Sequence, residues 1–599
     1  MIYHCEDHTC NYWDEGEKLP ERCPQCGRKL LRANEADMTG DDWTALGNTL
    51  WDAEASDKKR MVDCFRKAAY LGSAWGVCNL GICMEQGNGV EADPVQAFWL
   101  YQQAVEMGSL NAVCCLGVCY QYGIGTAPDA KQAAELYCKA AEYGSPRGQM
   151  LLAHAFHDGI GVEADAAEAV YWVRAAAYQR YGEGMHRLGV CYEYGDGVEQ
   201  NWERAVHWFR EAAESGVSVA MADLGYCYEK GCGVEQSWEQ AFSWYRRGAE
   251  CGDPVSMCNL GWCYKMGYGV EQNWQEAIKW YEQGAQCGDL QSMHNLARCY
   301  ERGEGVEQNE DRALYWYRRS AEGGHGGAMC NLGWCYKRGY GVEQNLQEAV
   351  KWYEQGAQCG NLQSMHNLAC CYERGEGVEQ NMTEAIRWYT AAAEGGNADD
   401  MYNLGWQYDH GEGVEQDMKK AICWYERAAE QNHPAAMNSL GECYAMGQGV
   451  PRDLETAMEW YRRAAELGEA MADYNMGWHL EQAGKLSEAY AHYRKAADGN
   501  DDSAWWALGR FYENGVVVAQ DGKEARRCYE TGEKLGSVKC KMRLARCKLL
   551  GIGGRRAKNA GLDLCRQALE LAKESSEKED YGYEAEMNLL RRTIAENES

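Results

Sequence analysis

Proline and long apolar runs are the two features that this sequence lacks most clearly. Only 8 prolines occur in 599 residues, which favours helices, because proline breaks a helix in its interior. No segment approaches ~18 consecutive apolar residues, so no membrane-spanning helix is expected. Residues 1–5 have no apolar stretch that resembles a signal peptide. We therefore expect a cytoplasmic chain, and export through an unrecognised signal stays open as an alternative.

Positive charge is also scarce compared with negative charge. The 60 Lys and Arg against 91 Asp and Glu leave a formal net charge of −31. A surface this negative repels phosphate backbones and anionic lipids, so we expect neither nucleic-acid nor membrane binding. Basic or neutral partners suit it better. The 30 cysteines, in a chain without a recognised secretion signal, indicate reduced or metal-bound thiols.

A fixed period of 36 residues runs along most of the chain. Leu-Gly pairs mark it, and Gly-x-Gly-Val and Trp-Tyr segments follow at constant offsets. The leucines of these pairs are Leu80, Leu116, Leu188, Leu224, Leu260, Leu332, Leu404 and Leu440. Such a period predicts a stacked repeat array, in which each unit buries its apolar face against its neighbours.

Residues 256–287 serve as the type unit of this array. Met257, Leu260 and Tyr264 recur at helical spacing and predict a first helix. Glycines in 267–270 end that helix, and a second helix carries Ala277 and Trp280 on its apolar face. The glycine turn lacks the third glycine and the Gly-Lys-Ser/Thr ending of phosphate-binding loops. We therefore expect no nucleotide binding.

This unit resembles the Sel-1-like repeat, a longer-looped relative of the tetratricopeptide repeat. The resemblance rests on Ala/Met-x2-Leu-Gly-x2-Tyr, Gly-x-Gly-Val, Ala-x2-Trp-Tyr and a closing Ala-x2-Gly, over roughly residues 43–557. It implies an all-α fold, a right-handed α/α superhelical solenoid of about 14–15 helix pairs. It also implies an adaptor that holds other proteins. We expect no enzyme, because no Ser-His-Asp, Cys-His or paired-carboxylate arrangement stands out; β-lactam cleavage, which the family includes, has no supporting residues.

The predicted domain boundaries follow from where the repeat pattern fades. A zinc ribbon is expected at 1–32, a linker at 33–42 and a degenerate capping repeat at 43–72. The Sel-1-like array is expected at 73–557 and capping helices at 558–599. Capping units are needed because a solenoid must shield its terminal apolar faces.

Two irregularities interrupt the period. Segments 257–309 and 329–381 differ at only five of 53 positions, so the duplicated unit there is two repeats long. The differing pairs are 266/338, 274/346, 278/350, 289/361 and 298/370. The step from Met476 to Leu508 is 32 residues instead of 36, which predicts a shortened loop between the two helices of that repeat.

Four cysteines near the N-terminus form the one pattern with definite metal chemistry. These are Cys5, Cys10, Cys23 and Cys26. Two close pairs about a dozen residues apart can place four thiolates around one ion. The Cys-x4-Cys half is looser than usual, and His4 or His8 could replace a cysteine. Residues 3–30 resemble a rubredoxin-like zinc ribbon. We expect structural zinc, and a redox protein with iron in this four-cysteine site is the alternative function.

Other cysteines stand three residues after the grid leucine. This recurrence predicts a buried position for a small apolar side chain, and hence free core thiols. The positions are Cys83, Cys119, Cys191, Cys227, Cys263, Cys299, Cys335, Cys371 and Cys443.

In the related tetratricopeptide arrays, the first helix of each pair lines the concave surface. By that resemblance, the residues before and two places after each grid leucine bind partners. These are Asn259, Trp262, Asn295, Arg298, Asn331, Trp334, Asn367, Asn403 and Trp406. Asparagines suit the backbone of an extended peptide, and tryptophans suit apolar anchoring. Two alternatives stay open: the asparagines brace neighbouring helices, and the tryptophans pack between repeats. The prediction is a monomeric scaffold with a protein or peptide ligand on its concave surface.

Overall fold

A computed structural model describes residues 2–5, 13–15, 30–32, 38–51, 55–578 and 584–598. The chain divides into two compact units, Met1–Asn309 and Glu310–Ser599, here called unit 1 and unit 2. Most of the described residues are helical, which confirms the predicted all-helical repeat solenoid. Within the described residues, no helix is both long and apolar enough to cross a membrane.

Unit 1 opens with three short strands in one antiparallel sheet of order β2-β1-β3. The strands are β1 (Ile2–Cys5), β2 (Trp13–Glu15) and β3 (Leu30–Arg32). Tyr3 of the central strand lies opposite Asp14 on one side and Arg32 on the other. The other elements described in unit 1 are helices.

The helices alternate along the chain between the first and the second helix of a repeat, and odd numbers denote first helices. Those of unit 1 are α1 (Gly40–Thr49), α2 (Ala55–Tyr70), α3 (Ala74–Gln86), α4 (Pro94–Glu106), α5 (Leu110–Tyr122), α6 (Ala130–Glu142), α7 (Pro146–Asp158), α8 (Ala166–Tyr178), α9 (Gly182–Tyr194), α10 (Trp202–Glu214), α11 (Ser218–Lys230), α12 (Trp238–Glu250), α13 (Pro254–Met266), α14 (Trp274–Gln286) and α15 (Leu290–Arg302).

Unit 2 continues the alternation, beginning with a second helix. Its helices are α16 (Glu310–Glu322), α17 (Gly326–Arg338), α18 (Leu346–Gln358), α19 (Leu362–Arg374), α20 (Met382–Glu394), α21 (Ala398–His410), α22 (Met418–Glu430), α23 (Pro434–Met446), α24 (Leu454–Glu466), α25 (Ala470–Gln482), α26 (Leu486–Asp498), α27 (Asp502–Asn514), α28 (Gly522–Lys534), α29 (Val538–Leu550), α30 (Lys558–Lys578) and α31 (Glu584–Glu598).

The loop inside each repeat is built from helix caps. In the type unit, Gly267 ends α13 in the left-handed region at φ 78°, a conformation that favours glycine. The side chain of Gln272 then turns back and donates to the Lys265 carbonyl at 2.7 Å. Asn273 caps α14 by accepting from the backbone N–H of Glu276. The recurring Gly-x-Gly-Val-Glu-Gln-Asn segment is therefore one continuous connector.

The second glycine of this segment is needed for packing against the preceding repeat. Gly269 has φ 68°, and a Cβ there would overlap the backbone carbonyl of Trp238 on α12. Any larger residue would push the loop off the neighbouring helix. The first glycine of the Gly-x-Gly pattern therefore ends a helix, and the second allows a close contact between repeats.

A tyrosine ring lies directly on a glycine in most helix pairs. Added to Gly225 of α11, a Cβ would stand 2.6 Å from Cε1 of Tyr245 on α12. Tyr245 is fully buried, and its hydroxyl donates to Glu229 at 2.9 Å. The glycine of each Leu-Gly pair thus provides the room that the aromatic ring occupies. The α7–α8 pair shows the complementary exchange, since Ala153 replaces the glycine and Val173 replaces the tyrosine.

The predicted core thiols are confirmed by the structure. All nine grid cysteines are buried. A small side chain fits at these buried positions, whereas a larger one would separate the packed helices.

The shortened repeat is also confirmed. Gln482 ends α25 and Leu486 begins α26, so three residues connect helices that seven residues connect in the type unit. The glycine in this loop, Gly484, has positive φ and open space around it. The deletion is accommodated entirely in the connector, and both helices keep 13 residues.

We expect strong coupling between the glycine and the tyrosine of one pair. Gly225→Ala should lower the free energy of unfolding by about 1–3 kcal/mol, because its methyl group overlaps the Tyr245 ring. Combining it with Tyr245→Val should cost less than the sum of the single changes by about 1 kcal/mol or more. Urea unfolding of the full chain, followed by circular dichroism, measures all three variants. Additive effects would contradict this packing argument.

Candidate functional site

First helices of successive repeats contact one another within each unit. In unit 1, α11 contacts α13 and α13 contacts α15; in unit 2, α17 contacts α19. The residues predicted to bind partners lie on these helices and on α21, and all are at least partly exposed. Trp334 is 37% exposed. These positions are therefore accessible, as a binding role requires.

Four of the predicted residues come together around one cavity in unit 1. It lies between α13 and α15, with α14 behind it, and has a volume of about 630 Å³. Asn259 and Trp262 line it from α13, and Asn295 and Arg298 line it from α15. We call this space the α13–α15 cavity.

The tryptophan in this cavity is both packed and accessible. The Trp262 ring lies 5.7 Å from the Trp238 ring and 4.9 Å from the Tyr268 ring. Trp238 and Tyr268 stack on each other at 4.3 Å. One part of the Trp262 indole therefore packs against the preceding repeat, as the alternative reading required, and another part faces the cavity.

The asparagines form bonds between repeats. Asn295 donates to the Cys258 sulfur at 3.6 Å, and Asn367 donates to the Cys330 sulfur at 3.4 Å. Each bond joins a first helix to the preceding first helix. These two asparagines therefore brace neighbouring helices, which was the alternative to ligand binding for this row.

A buried hydroxyl without a partner also lines the cavity. Tyr281 is 1% exposed, and its hydroxyl has no hydrogen-bond partner among the described residues. In several other repeats, the residue 16 positions before the tyrosine accepts this hydrogen bond, as Glu229 does from Tyr245. Here that position is Lys265, which is no acceptor. Burial raises the pKa of Tyr281, so the hydroxyl keeps its proton.

The cavity lining is positively charged in a strongly acidic chain. Lys265, Arg298, Arg302 and Glu304 are its charged residues. Lys265 pairs with Glu304 at 3.2 Å, and Arg302 lies 3.7 Å from the same side chain. Arg298 forms no ion pair with any residue that the structure describes. The local charge is thus opposite in sign to the net charge of −31.

The duplicated segment changes mainly at the residues of this cavity. Of the five differing positions, three line it in the first copy: Met266, Trp274 and Arg298. Their counterparts in unit 2 are Arg338, Leu346 and Cys370. The second copy has cysteine in place of Arg298 and arginine in place of Met266. The number of arginines at these positions is therefore the same in both copies, but the arginine stands at a different position.

Tyr281 and Trp274 are among the lining residues that sequence reasoning missed. Sequence reasoning did not single out Tyr281, because its buried counterparts in most other repeats are also tyrosines. The signal that distinguishes it is Lys265, a lysine where an acceptor usually stands. Trp274 was marked only as a difference between the duplicated copies.

The predicted metal site falls largely outside the described residues. Cys10, Cys23 and Cys26 lie outside them, and Cys5 is described only as part of the backbone of β1. The four-cysteine prediction therefore stays a prediction. What the structure adds is the pairing of the three strands between which these cysteines occur.

Comparison with known proteins agrees with this architecture. The family model of the Sel1 repeat matches thirteen segments. These are residues 76–109, 112–145, 146–181, 182–217, 218–253, 254–289, 290–325, 327–361, 362–397, 398–433, 434–469, 470–501 and 504–537. Among curated proteins, no match to the sequence is found.

Two solved structures of this repeat type resemble the chain. A protective antigen of uropathogenic Escherichia coli strains, displaying an SLR fold, is 32% identical with a TM-score of 0.49. The match covers 75% of this chain and 97% of that one. A Sel1 repeat protein from Oxalobacter formigenes is 33% identical with a TM-score of 0.38, and the match covers 41% and 96%. With matched segments extending from residue 76 to residue 537, the chain belongs to the Sel1 repeat family.

Proposed function

We propose that this chain is a monomeric cytoplasmic scaffold that binds partner proteins on the concave surface formed by its first helices. We further propose that the α13–α15 cavity takes an extended segment carrying one acidic side chain beside an apolar one. Membership of a helical repeat family supports the general role, because such arrays present long surfaces built from similar units. The chemistry of the cavity supports the particular ligand.

The observation that carries this proposal is the pair formed by Arg298 and the Tyr281 hydroxyl. Both residues line the same cavity. The Tyr281 hydroxyl has no hydrogen-bond partner among the described residues, and Arg298 forms no ion pair with them. A buried donor without an acceptor is costly, by about 1–3 kcal/mol. A carboxylate from a ligand would satisfy both donors. Charge-assisted bonds to arginine are among the stronger hydrogen bonds in proteins.

The apolar part of the ligand would meet tryptophan. Trp262 and Trp274 both line the cavity, and Lys265 lies over the Trp274 ring at 5.1 Å. Partly exposed indoles beside cationic groups are suited to an apolar side chain next to a carboxylate. An acidic segment can approach despite the negative chain because the lining itself is positive.

Direct contacts between first helices support a concave surface there. In a curved array, the helices that approach each other across repeats lie on the inner side. The α11–α13 and α13–α15 contacts fit that arrangement within unit 1. A segment bound to the cavity would then extend along the neighbouring first helices.

We also propose that Cys5, Cys10, Cys23 and Cys26 hold a structural zinc ion. Cys5 belongs to the central strand β1. In the sequence, Cys10 lies between β1 and β2, and Cys23 and Cys26 lie between β2 and β3. A segment this short buries little apolar surface, so a metal would supply most of its folding energy.

The binding proposal is tested with a displayed library of random 12-residue peptides selected against the full chain. We expect selected peptides to contain Asp or Glu next to an apolar residue. Trp262→Ala and Arg298→Ala should each weaken binding at least about tenfold, which is about 1.4 kcal/mol. Fluorescence anisotropy with labelled peptides gives the dissociation constants.

Two matched controls keep this test specific. Trp99, on the second helix α4, is 55% exposed, and Arg246, on the second helix α12, is also exposed. Trp99→Ala and Arg246→Ala should leave affinity unchanged. Peptides that bind all four variants equally, or that lack acidic residues, would show that the cavity is not their site.

The unpaired hydroxyl makes a separate prediction that compares two tyrosines. Tyr281→Phe should leave the free energy of unfolding unchanged or slightly higher, because no hydrogen bond is lost. Tyr245→Phe should lower it by about 1–2 kcal/mol, since Glu229 loses its donor. The same Tyr281→Phe variant should bind the selected peptides about fivefold more weakly, which is ~1 kcal/mol. Urea unfolding and anisotropy measure the two effects; equal destabilisation by both variants would count against the unpaired hydroxyl.

The metal proposal is tested by elemental analysis of the purified full chain. We expect one zinc per chain and no visible absorption, because ferric iron in a tetrathiolate site is coloured and zinc is not. Cys23→Ser combined with Cys26→Ser should abolish the zinc content, while Cys251→Ser with Cys287→Ser, two exposed cysteines of the array, should not. Stoichiometric iron would favour the redox alternative, and a metal-free chain would refute both.

A further inference from the structure

A thiol, an imidazole and a carboxylate form a connected chain of polar contacts in unit 2. Cys370 and His366 are one turn apart on α19, with Sγ 3.5 Å from Nε2. His366 Nδ1 lies 2.7 Å from Oδ1 of Asp400 on α21. Asp400 is fully buried, whereas Cys370 is partly exposed. The thiol therefore stands at the accessible end of the chain.

The carboxylate of this cluster is unusual for its position. Asp400 is the third residue of α21, and the same position is Ser256 in α13, Ser292 in α15 and Ser364 in α19. A buried carboxylate is costly unless a charged or hydrogen-bonding group is paired with it. His366 is that group. Neutral serines occupy this position in those three helices. An acid at the same position of α21 therefore indicates a role beyond helix capping.

The duplication shows that the cluster arose from two separate differences. In the first copy, the position of Cys370 is Arg298, and the position of His366 is His294. The residue 34 positions after His294 is Ala328, so the acid is also missing there. The histidine alone is common to both copies. Only the second copy combines it with a thiol and a carboxylate.

The electrostatics of the cluster favour an ion pair. The hydrogen bond to Asp400 raises the pKa of His366 to about 10, so the ring is protonated at neutral pH. Burial acts to raise the pKa of Cys370, but the contacts of its sulfur with His366 and Tyr389 outweigh burial and lower that pKa. The Tyr389 hydroxyl lies 3.3 Å from the sulfur. A lowered pKa increases the fraction of thiolate at neutral pH.

Other ionisable groups around Cys370 come from the neighbouring helices. The Tyr389 hydroxyl of α20 also donates to Glu373 at 2.9 Å, which places a negative charge near the thiol. Tyr353 of α18 stays protonated because burial raises its pKa. Lys337 of α17 is neutralised by Glu376 at 2.6 Å. The imidazolium of His366 is thus the cation that bonds directly to the sulfur.

We propose that Cys370, His366 and Asp400 form a reactive thiol site that undergoes thiol–disulfide exchange with small, neutral disulfides. The Cys370 thiolate attacks one sulfur of the disulfide, and a new sulfur–sulfur bond forms. The original disulfide bond breaks, and its electron pair leaves on the second sulfur. His366 gives the Nε2 proton to that leaving thiolate, while Asp400 holds the ring in orientation. The products are a mixed disulfide on Cys370 and one free small thiol.

Apart from the disulfide itself, this exchange needs no other reactant, and it uses few groups of the protein. Exchange requires a thiolate, access for the disulfide and a proton for the leaving sulfur. The cluster supplies the first and third, and partial exposure of Cys370 supplies the second. The inference stands apart from the proposed peptide binding, since it rests on contacts within α19, α20 and α21.

The test uses the full chain and site-resolved mass spectrometry, because many thiols are present. A short pulse of limiting iodoacetamide is applied between pH 5.5 and 9, and each cysteine is quantified. At pH 6, Cys370 should be modified at least about tenfold faster than the exposed Cys251, Cys287, Cys359 and Cys423. With bis(2-hydroxyethyl) disulfide as the probe, the mixed disulfide should form first at Cys370.

Variants separate a reactive site from a structural brace. His366→Gln and Asp400→Asn should each slow modification of Cys370 at pH 6 by about tenfold and shift its pH profile to higher pH. Arg298→Cys is the matched control, because it places a thiol beside His294 without the carboxylate. That new thiol should react no faster than the exposed cysteines.

The proposal is overturned if Cys370 in the intact chain reacts no faster than the four exposed cysteines. It is also overturned if its rate at pH 6 is the same in the His366→Gln and Asp400→Asn variants. In either case the cluster would be an inter-repeat brace. The pH profile of the intact chain decides the question even where a variant fails to fold.

Discussion

The contact between an aromatic ring and a glycine within most helix pairs is the constraint on which the rest of the array depends. Tyr245 occupies the space that a side chain on Gly225 would fill, so the two helices approach closely and cross in one fixed way. The small residues around this contact, including the buried cysteines, follow from the same lack of room. The connector of the repeat must then reach from one helix to the next without lifting them apart, which its two glycines allow.

The same contact explains how a binding site can arise without a change of fold. The buried tyrosine needs an acceptor for its hydroxyl, and Glu229 supplies one for Tyr245. At Tyr281 the acceptor position is Lys265, which turns to Glu304 instead. The ring still packs, so the helix pair is kept. The hydroxyl, however, has no hydrogen-bond partner among the described residues, and Tyr281 lines the same cavity as Arg298. The packing role of the ring is thus kept where its hydroxyl has lost its acceptor.

Two nearly identical segments of the chain carry different residues at one partly exposed position of this surface. In the first, Arg298 lines a cavity of positive charge. In the second, the same position is Cys370, which contacts His366 and through it Asp400. The helices around both positions pack alike, because the core residues hardly differ. A scaffold built from repeats can vary its exposed positions freely since each repeat is held by its own core and its neighbours.

The sequence by itself determined the helix pairs, the connector, the buried thiols and the surface row of Asn259, Trp262, Asn295 and Arg298. These depend on spacing within one repeat, where the helical period and the glycine positions dictate which side chains face inward. Only the tertiary structure decided what lies beside each exposed group. Asp400 meets His366 across 34 residues, and Asn295 meets Cys258 across 37. Contacts of this kind depend on how one repeat is stacked and rotated on the next. The periodicity within one repeat does not determine that rotation.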